Sequence, residues 1–283
     1  MRISLIIPTL NAGGALEGLL SRLWAQDLRP LEVIIIDSSS EDNTIRTAES
    51  FGAKTIVIPR RDFDHGRTRN VAAMEAQGDI LVFMTQDAFP EDATLLRSLT
   101  APLGLADTAA AYGRQIPRPE ASPLEAFART FNYPDTPSTR GIDDIGKYGL
   151  KTFFFSDVCS AVRKDAFIEI GTFPEGVRAN EDMLIAAKLI LRGYRVAYVP
   201  EATVIHSHSY SLFGVLRRYY NIGSSLRKNR WILNYRPAER EGARFMREQV
   251  KFVLRQRRYP WIPYIFLESA VKYAGFRIGL LSG

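Results

Sequence analysis

Four runs in the first third of the chain, "RISLIIP", "LEVIIID", "AKTIVIP" and "DILVFMT", are apolar with almost no polar face. A strand reads this way only when both of its faces are buried. Each run is followed by a stretch with helical spacing: residues 13–25, then "SEDNTIRTAESFG", opened by Ser40 or Asp42 and stopped by Gly52, then residues 66–77. Doubly buried strands joined by helices of that length predict a parallel sheet covered on both sides, a doubly wound α/β domain.

In such a sheet, ligands gather outside the carboxyl ends of the strands. The residues there are Pro8, Thr9 and Asn11; Asp37, Ser38 and Ser39; Arg60, Arg61 and Asp62; and Gln86 and Asp87. No Gly-x-Gly-x-x-Gly follows the first strand and no Gly-Lys-Ser or Gly-Lys-Thr occurs. A phosphate bound at this rim would therefore need a cation instead of a glycine cradle.

The later alternation is less regular. "TAAAYGRQ", "KTFFFSDVCSAVRK" and "RVAYVP" read as strands, and residues 123–132 and "ANEDMLIAAKLILRGY" as helices, the second ending at Gly193. Residues 134–150, rich in Gly, Pro and polar side chains, read as a lid or substrate loop. Near residue 210 the charge changes sign. Residues 211–283 hold 15 Lys and Arg against 4 Asp and Glu, leaving 22 against 27 in residues 1–210. We divide the chain there into a catalytic domain, 1–210, and a basic amphipathic helical region, 211–283, broken by Pro237 and Pro260.

With 46% hydrophobic residues, 283 residues bury a sizeable core unaided. The single Cys159 excludes an internal disulfide, suits a reducing compartment and reads as a packed, inert thiol. Neither a signal peptide nor a spanning run of ~18 apolar residues is evident, so the expected location is cytoplasmic, peripheral on the inner face of the cell membrane.

Asp87 interrupts an apolar strand at the ligand rim. It either holds a divalent metal or caps a helix starting near Pro90. Glu181 and Asp182 open a helix, where the dipole alone favours acids. His206 and His208 lie two apart at a strand end, so both point one way and could complete a metal site with Asp87. Arg60, Arg61, Arg67 and Arg69 surround His65 and Gly66, as a phosphate site or as a solvated basic loop.

Taken in order, "LIIPTLNA", "IIIDSSSEDNT", "FDHGRTRN", "FMTQDAFP" and "NEDMLIAAKLILRGYRVAYVPEATVIHSHSYS" resemble the motif series of the inverting family 2 glycosyltransferases, from residue 2 to about 211. "FDHGRTRN" and "TQDAFP" resemble bacterial rhamnosyltransferases that use dTDP-L-rhamnose in cell-surface polysaccharide synthesis. The resemblance implies the GT-A fold, a Rossmann-like mixed sheet, here with a C-terminal helical tail. It further implies that Pro8, Thr9, Asn11, Asp37, Ser39, Arg67, Arg69, Gln86 and Asp87 bind the nucleotide sugar. Asp87 and His208 would hold Mg2+ or Mn2+, and Asp182, with Glu181 beside it, would be the base. One departure stands out: Thr85 replaces the first acid of the family's Asp-x-Asp motif.

The implied reaction passes a sugar from a dTDP- or UDP-linked donor to a hydroxyl of a glycan or lipid-linked acceptor, with inversion. The like-charged neighbour and burial would raise the pKa of Asp182, and the helix dipole would lower it. The tail's cations and aromatics suit a membrane surface, or else pack on the catalytic domain or pair two chains; nucleic acid is not expected. A nucleotidyltransferase would carry a Gly-rich loop that "PTLNAGG" lacks, and a silent nucleotide-sugar-binding scaffold would have no use for Asp182.

Overall fold

The computed structural model describes residues 1–235 and 241–282. The elements run β1 Ile3–Thr9, α1 Gly13–Trp24, β2 Glu32–Asp37, α2 Thr44–Ser50, β3 Lys54–Val57, α3 His65–Met74, β4 Ile80–Met84, β5 Phe89–Pro90, α4 Leu95–Thr100 and β6 Thr108–Ile116. They continue with α5 Pro123–Asn132, β7 Ser138–Arg140, α6 Ile145–Tyr148, β8 Cys159–Arg163, α7 Lys164–Glu169, α8 Glu181–Leu191, β9 Arg195–Ile205, α9 Leu212–Lys228, α10 Glu241–Arg255 and α11 Trp261–Ser282.

The strands form one sheet in the order β3-β2-β1-β4-β8-β6-β9-β5, with β7 also on β9. The first four are parallel; β8 is antiparallel to β4 and β6, and β6 and β9 are again parallel. Alternation within the apolar runs sorts their residues to two cores. Leu5, Ile7, Val33, Ile35 and Val82 pack with α1 and α4, whereas Ile6, Ile34, Leu81 and Phe83 pack with α3, α7 and α8. Burial on both faces is why those runs carry no polar side.

Two expectations are corrected. The apolar run 151–164 is not one strand: only Cys159–Arg163 pairs in the sheet, while Phe153 and Phe155 reach the core from irregular chain. The Ser156-Asp157 break, not the hydrophobicity around it, marks the boundary. Residues 134–150 are not one irregular loop: they contain β7 and α6, and none of them lines the main cleft.

Residues 211–282 supply α9, α10 and α11. α9 and α11 meet through glycines: a Cβ on Gly279 would lie 2.1 Å from the Tyr220 carbonyl oxygen, and one on Gly223 2.3 Å from that of Phe276. Leu226 and Ile232 join the catalytic core, and Val253 of α10 and Ile265 of α11 bury against Leu124 of α5. The expected break at Pro237 lies outside the described residues; Pro260 does separate α10 from α11. Among the described residues no helix is long and apolar enough to cross a membrane.

Candidate active site

The carboxyl ends of β1, β2 and β4, the end of β9 and the first turns of α8 and α9 enclose a cleft of about 750 Å3. Pro8, Thr9 and Gln86 line its sheet side, and Glu181 and Asp182 line another wall with Arg69 and Asp157. The side-chain amide of Gln86 clasps the Leu10 backbone, accepting from its N–H at 2.8 Å and donating to its carbonyl at 3.2 Å. This ties the end of β1 to the segment after β4.

Asp87 does not cap a helix. Its Oδ2 lies 3.5 Å from His206 Nε2 and 3.4 Å from His208 Nε2, and the two Nε2 atoms are 3.0 Å apart. One oxygen and two nitrogens within 4.8 Å of one another form a donor set for a divalent cation. Mixed imidazole and carboxylate ligation suits Mn2+ better than Mg2+. Burial, then His206, pushes the His208 imidazole down to about 4, leaving it neutral with a lone pair to offer. Burial alone would raise the Asp87 carboxyl, but its contacts with His206, Thr85 and His208 outweigh it and hold the group well below the usual carboxylate range.

A second layer orients His206. Buried Gln115, at the end of β6, donates from Nε2 to Tyr133 Oη at 2.7 Å and Ser156 Oγ at 2.8 Å, while its Oε1 accepts from Arg129 at 2.6 Å. That oxygen also lies 3.0 Å from His206 Nδ1. With the amide's orientation fixed by its other partners, Nδ1 must carry a proton and Nε2 is left to face a cation.

In the same cleft, burial settles the contest at the start of α8. Asp182 is raised to about 7, first by burial and then by Asp157, against the opposing pull of Met183 N–H, Arg69 and Arg218. Glu181 is also pushed well up, by burial, Asp157 and Asp182. Asp182 keeps part of its surface on the cleft, while Glu181 is buried 3.7 Å from both Arg69 Nη1 and His65 Nδ1. Asn180, just before this helix, holds φ at 64°, a strained backbone for a non-glycine residue.

The "FDHGRTRN" segment scaffolds that wall. Asp64 caps α3 by accepting from Arg67 N–H at 2.8 Å and also receives Gly176 N–H at 3.1 Å. Asn70 clamps Phe173 through two 3.0 Å bonds. A Cβ on Gly66 would lie 2.1 Å from the Pro174 carbonyl oxygen, so only glycine permits this approach. Arg69, 3% exposed, pairs with Asp157 at 3.0 Å rather than reaching across open space.

Several expected residues stand away from the cleft. Arg67 faces solvent. Asp37 is fully buried and accepts from Thr9 Oγ1 at 2.8 Å and from Ser40 N–H and Oγ at 2.7 and 2.6 Å. Asn11 and Ser39, both at positive φ, brace the loops: Asn11 accepts from Glu41 N–H, and Ser39 donates to the Ile58 carbonyl. Of their cluster only Ser38 lines the cleft. Asp157, Gln115, Arg129, and Arg217 and Arg218 of α9 were not anticipated. Asp157 carried the same signal as Asp87, a carboxylate inside an apolar run.

A mixed sheet whose carboxyl rim opens on one cleft, with the Asp87–His206–His208 cluster and the buried acids of α8 at it, has the GT-A fold of sugar transferases. The chain belongs to glycosyl transferase family 2, whose sequence model matches residues 4–171, and it is a glycosyltransferase. It is 38% identical to the O-antigen chain rhamnosyltransferase RfbN of Salmonella typhimurium over 99% of this chain and 90% of that one. It is 38% identical to the O-antigen chain rhamnosyltransferase WbaN of Salmonella anatum over 98% and 88%. Its fold is similar to that of a Pyrobaculum calidifontis mannosyltransferase solved with GDP-Man and Mn2+, with a TM-score of 0.62 at 18% identity, covering 99% of this chain and 73% of that one.

Proposed function

We propose that the protein transfers L-rhamnose from dTDP-L-rhamnose to a hydroxyl of a growing cell-surface polysaccharide, with inversion at the anomeric carbon. The observation that carries this reading is the meeting of Asp182 and the Asp87–His206–His208 cluster at one cleft, in a chain 38% identical to two O-antigen rhamnosyltransferases along nearly its whole length.

Asp182, ionised, takes the proton of the acceptor hydroxyl. The acceptor oxygen forms a bond to the anomeric carbon as the bond from that carbon to the diphosphate oxygen breaks, and the electron pair leaves with the nucleoside diphosphate. A divalent cation held by Asp87, His206 and His208 would supply positive charge facing that diphosphate. Glu181, Arg69 and Asp157 hold the base in place. Pro8, Thr9, Ser38 and Gln86 border the nucleotide end of the cleft, and Asp37, Asn11 and Ser39 keep those loops in shape.

The acceptor's lipid end would lie at a membrane. Phe266, Leu267, Tyr273, Ile278 and Leu281 form an exposed apolar arc on α11, Arg277 is exposed on the same helix, and Arg255, Arg257 and Arg258 are exposed just before it. The outer face of α11 thus acts as a peripheral anchor on the inner face of the cell membrane, while residues 1–210 carry the catalytic acids and α9 completes their cleft.

Asp182→Asn is expected to lower transfer by about 10²–10⁴-fold while dTDP binding by calorimetry is kept. Asp87→Asn should weaken binding of both dTDP and Mn2+. Turnover of Asp182→Asn within a few-fold of wild type would remove the base.

A further inference from the structure

A second cavity, of about 680 Å3, lies between α5, α9 and α11 and shares His208, Tyr210, Arg129 and Arg218 with the catalytic cleft. The two spaces therefore adjoin at these four side chains. Its far side presents the rings of Tyr219, Trp261 and Tyr264, the last two edge-to-face at 5.6 Å. Carboxylates enter from two helices. Glu268 forms an ion pair with Lys272 at 3.1 Å, although its Oε2 has no well-aligned hydrogen bond, and Glu125 Oε1 has no partner among the described residues.

The sequence around Glu125 is Ser122-Pro123-Leu124-Glu125, the spacing in which a glutamate usually folds back to cap its own helix. Half of that box is made, since Ser122 Oγ accepts from Glu125 N–H at 3.3 Å. The carboxylate turns away instead. Its Oε2 touches Ser209 Oγ at 3.4 Å, and its Oε1 is buried with no partner among the described residues. A buried acceptor left unmet is costly unless something else donates to it.

We infer that this cavity is a saccharide subsite, taking the acceptor sugar one residue behind the one that receives the new linkage. Aromatic faces cover the C–H side of a pyranose, while carboxylates and an amide such as Asn132 accept and donate to its hydroxyls. Arg129, Arg218 and Lys272 line it too, but Arg129 is taken up by Gln115 and Lys272 by Glu268, so a diphosphate would still meet the Glu125 carboxylate. This inference rests on the glycosyltransferase reading and adds a length requirement to it.

The test uses alkyl glycosides carrying one or two hexoses, in galactose, glucose and mannose series, with dTDP-L-rhamnose as donor. For the series accepted, wild type should use the disaccharide at least about 10-fold better in kcat/KM. Trp261→Ala and Glu125→Gln should each raise the disaccharide KM to that of the monosaccharide. Monosaccharide kinetics and donor KM should stay unchanged. No preference in wild type, or a preference that survives both substitutions, overturns the subsite; so does an equal loss on both acceptors, which marks general damage.

Saturation-transfer NMR with the same glycosides reads binding without turnover, and in Trp261→Ala the signal of the second hexose should be lost while that of the terminal hexose is kept. Binding with no transfer from any nucleotide sugar would fault the proposed reaction and leave the subsite standing. Displacement of the bound disaccharide by inorganic pyrophosphate, without change at the donor site, would assign the cavity to a phosphate and overturn the inference.

Discussion

Gln115 illustrates how much of this site is held by residues that never face the reaction. Its amide has partners on both atoms, and replacing it with Leu would free His206 to rotate and to take either tautomer. Gln115→Leu is expected to weaken Mn2+ binding by about 10–100-fold, measured by calorimetry or by electron paramagnetic resonance of free Mn2+, with dTDP alone bound as before. Asp182 gives a prediction with a sign. Its folded value, about 7, lies above the ordinary 3.8, so the stability it contributes is full below 3.8 and is lost as pH rises through 7. Asp182→Asn should therefore raise Tm at pH 8 by about 2–4 °C for each kcal/mol relieved and change little near pH 4. Turnover of wild type should climb through the same region near pH 7, as the base ionises.

At the level of elements, α3 and the segment before α8 are one unit. Gly66→Ala would drive a methyl group into the Pro174 carbonyl, and a cost of about 1–3 kcal/mol in urea unfolding is expected, with a larger loss of transfer because Glu181 and Asp182 follow that segment. The sequence revealed these elements unevenly. Strands β1 to β4 were legible because burial on both faces leaves an unbroken apolar signature, and Asp87 was legible as an acid interrupting one. Asp157 carried the same signature but was absorbed into a strand drawn too long. The bracing roles of Asp37 and Arg69 depend on contacts with residues 28 and 88 positions away or nearer, made through side-chain geometry that periodicity does not encode.

Over the whole molecule, the charge change near residue 210 located the start of α9 but said nothing of where that helix goes. Leu226 and Ile232 sit in the catalytic core, and Arg217 and Arg218 line the cleft. Deleting residues 211–283 would therefore expose core surface as well as any anchor, and point changes are the cleaner probe. Phe266→Ser with Ile278→Ser should reduce flotation with vesicles containing anionic lipid while circular dichroism and transfer to a soluble acceptor are kept; undiminished flotation would remove the membrane role of α11.

Because no side chain separates α9 from α11 at Gly223 and Gly279, the two helix backbones touch there. Were the proposed α11 anchor to hold at a bilayer, the distance from that surface to the cleft would set how far a glycan must stand off the lipid to be reached.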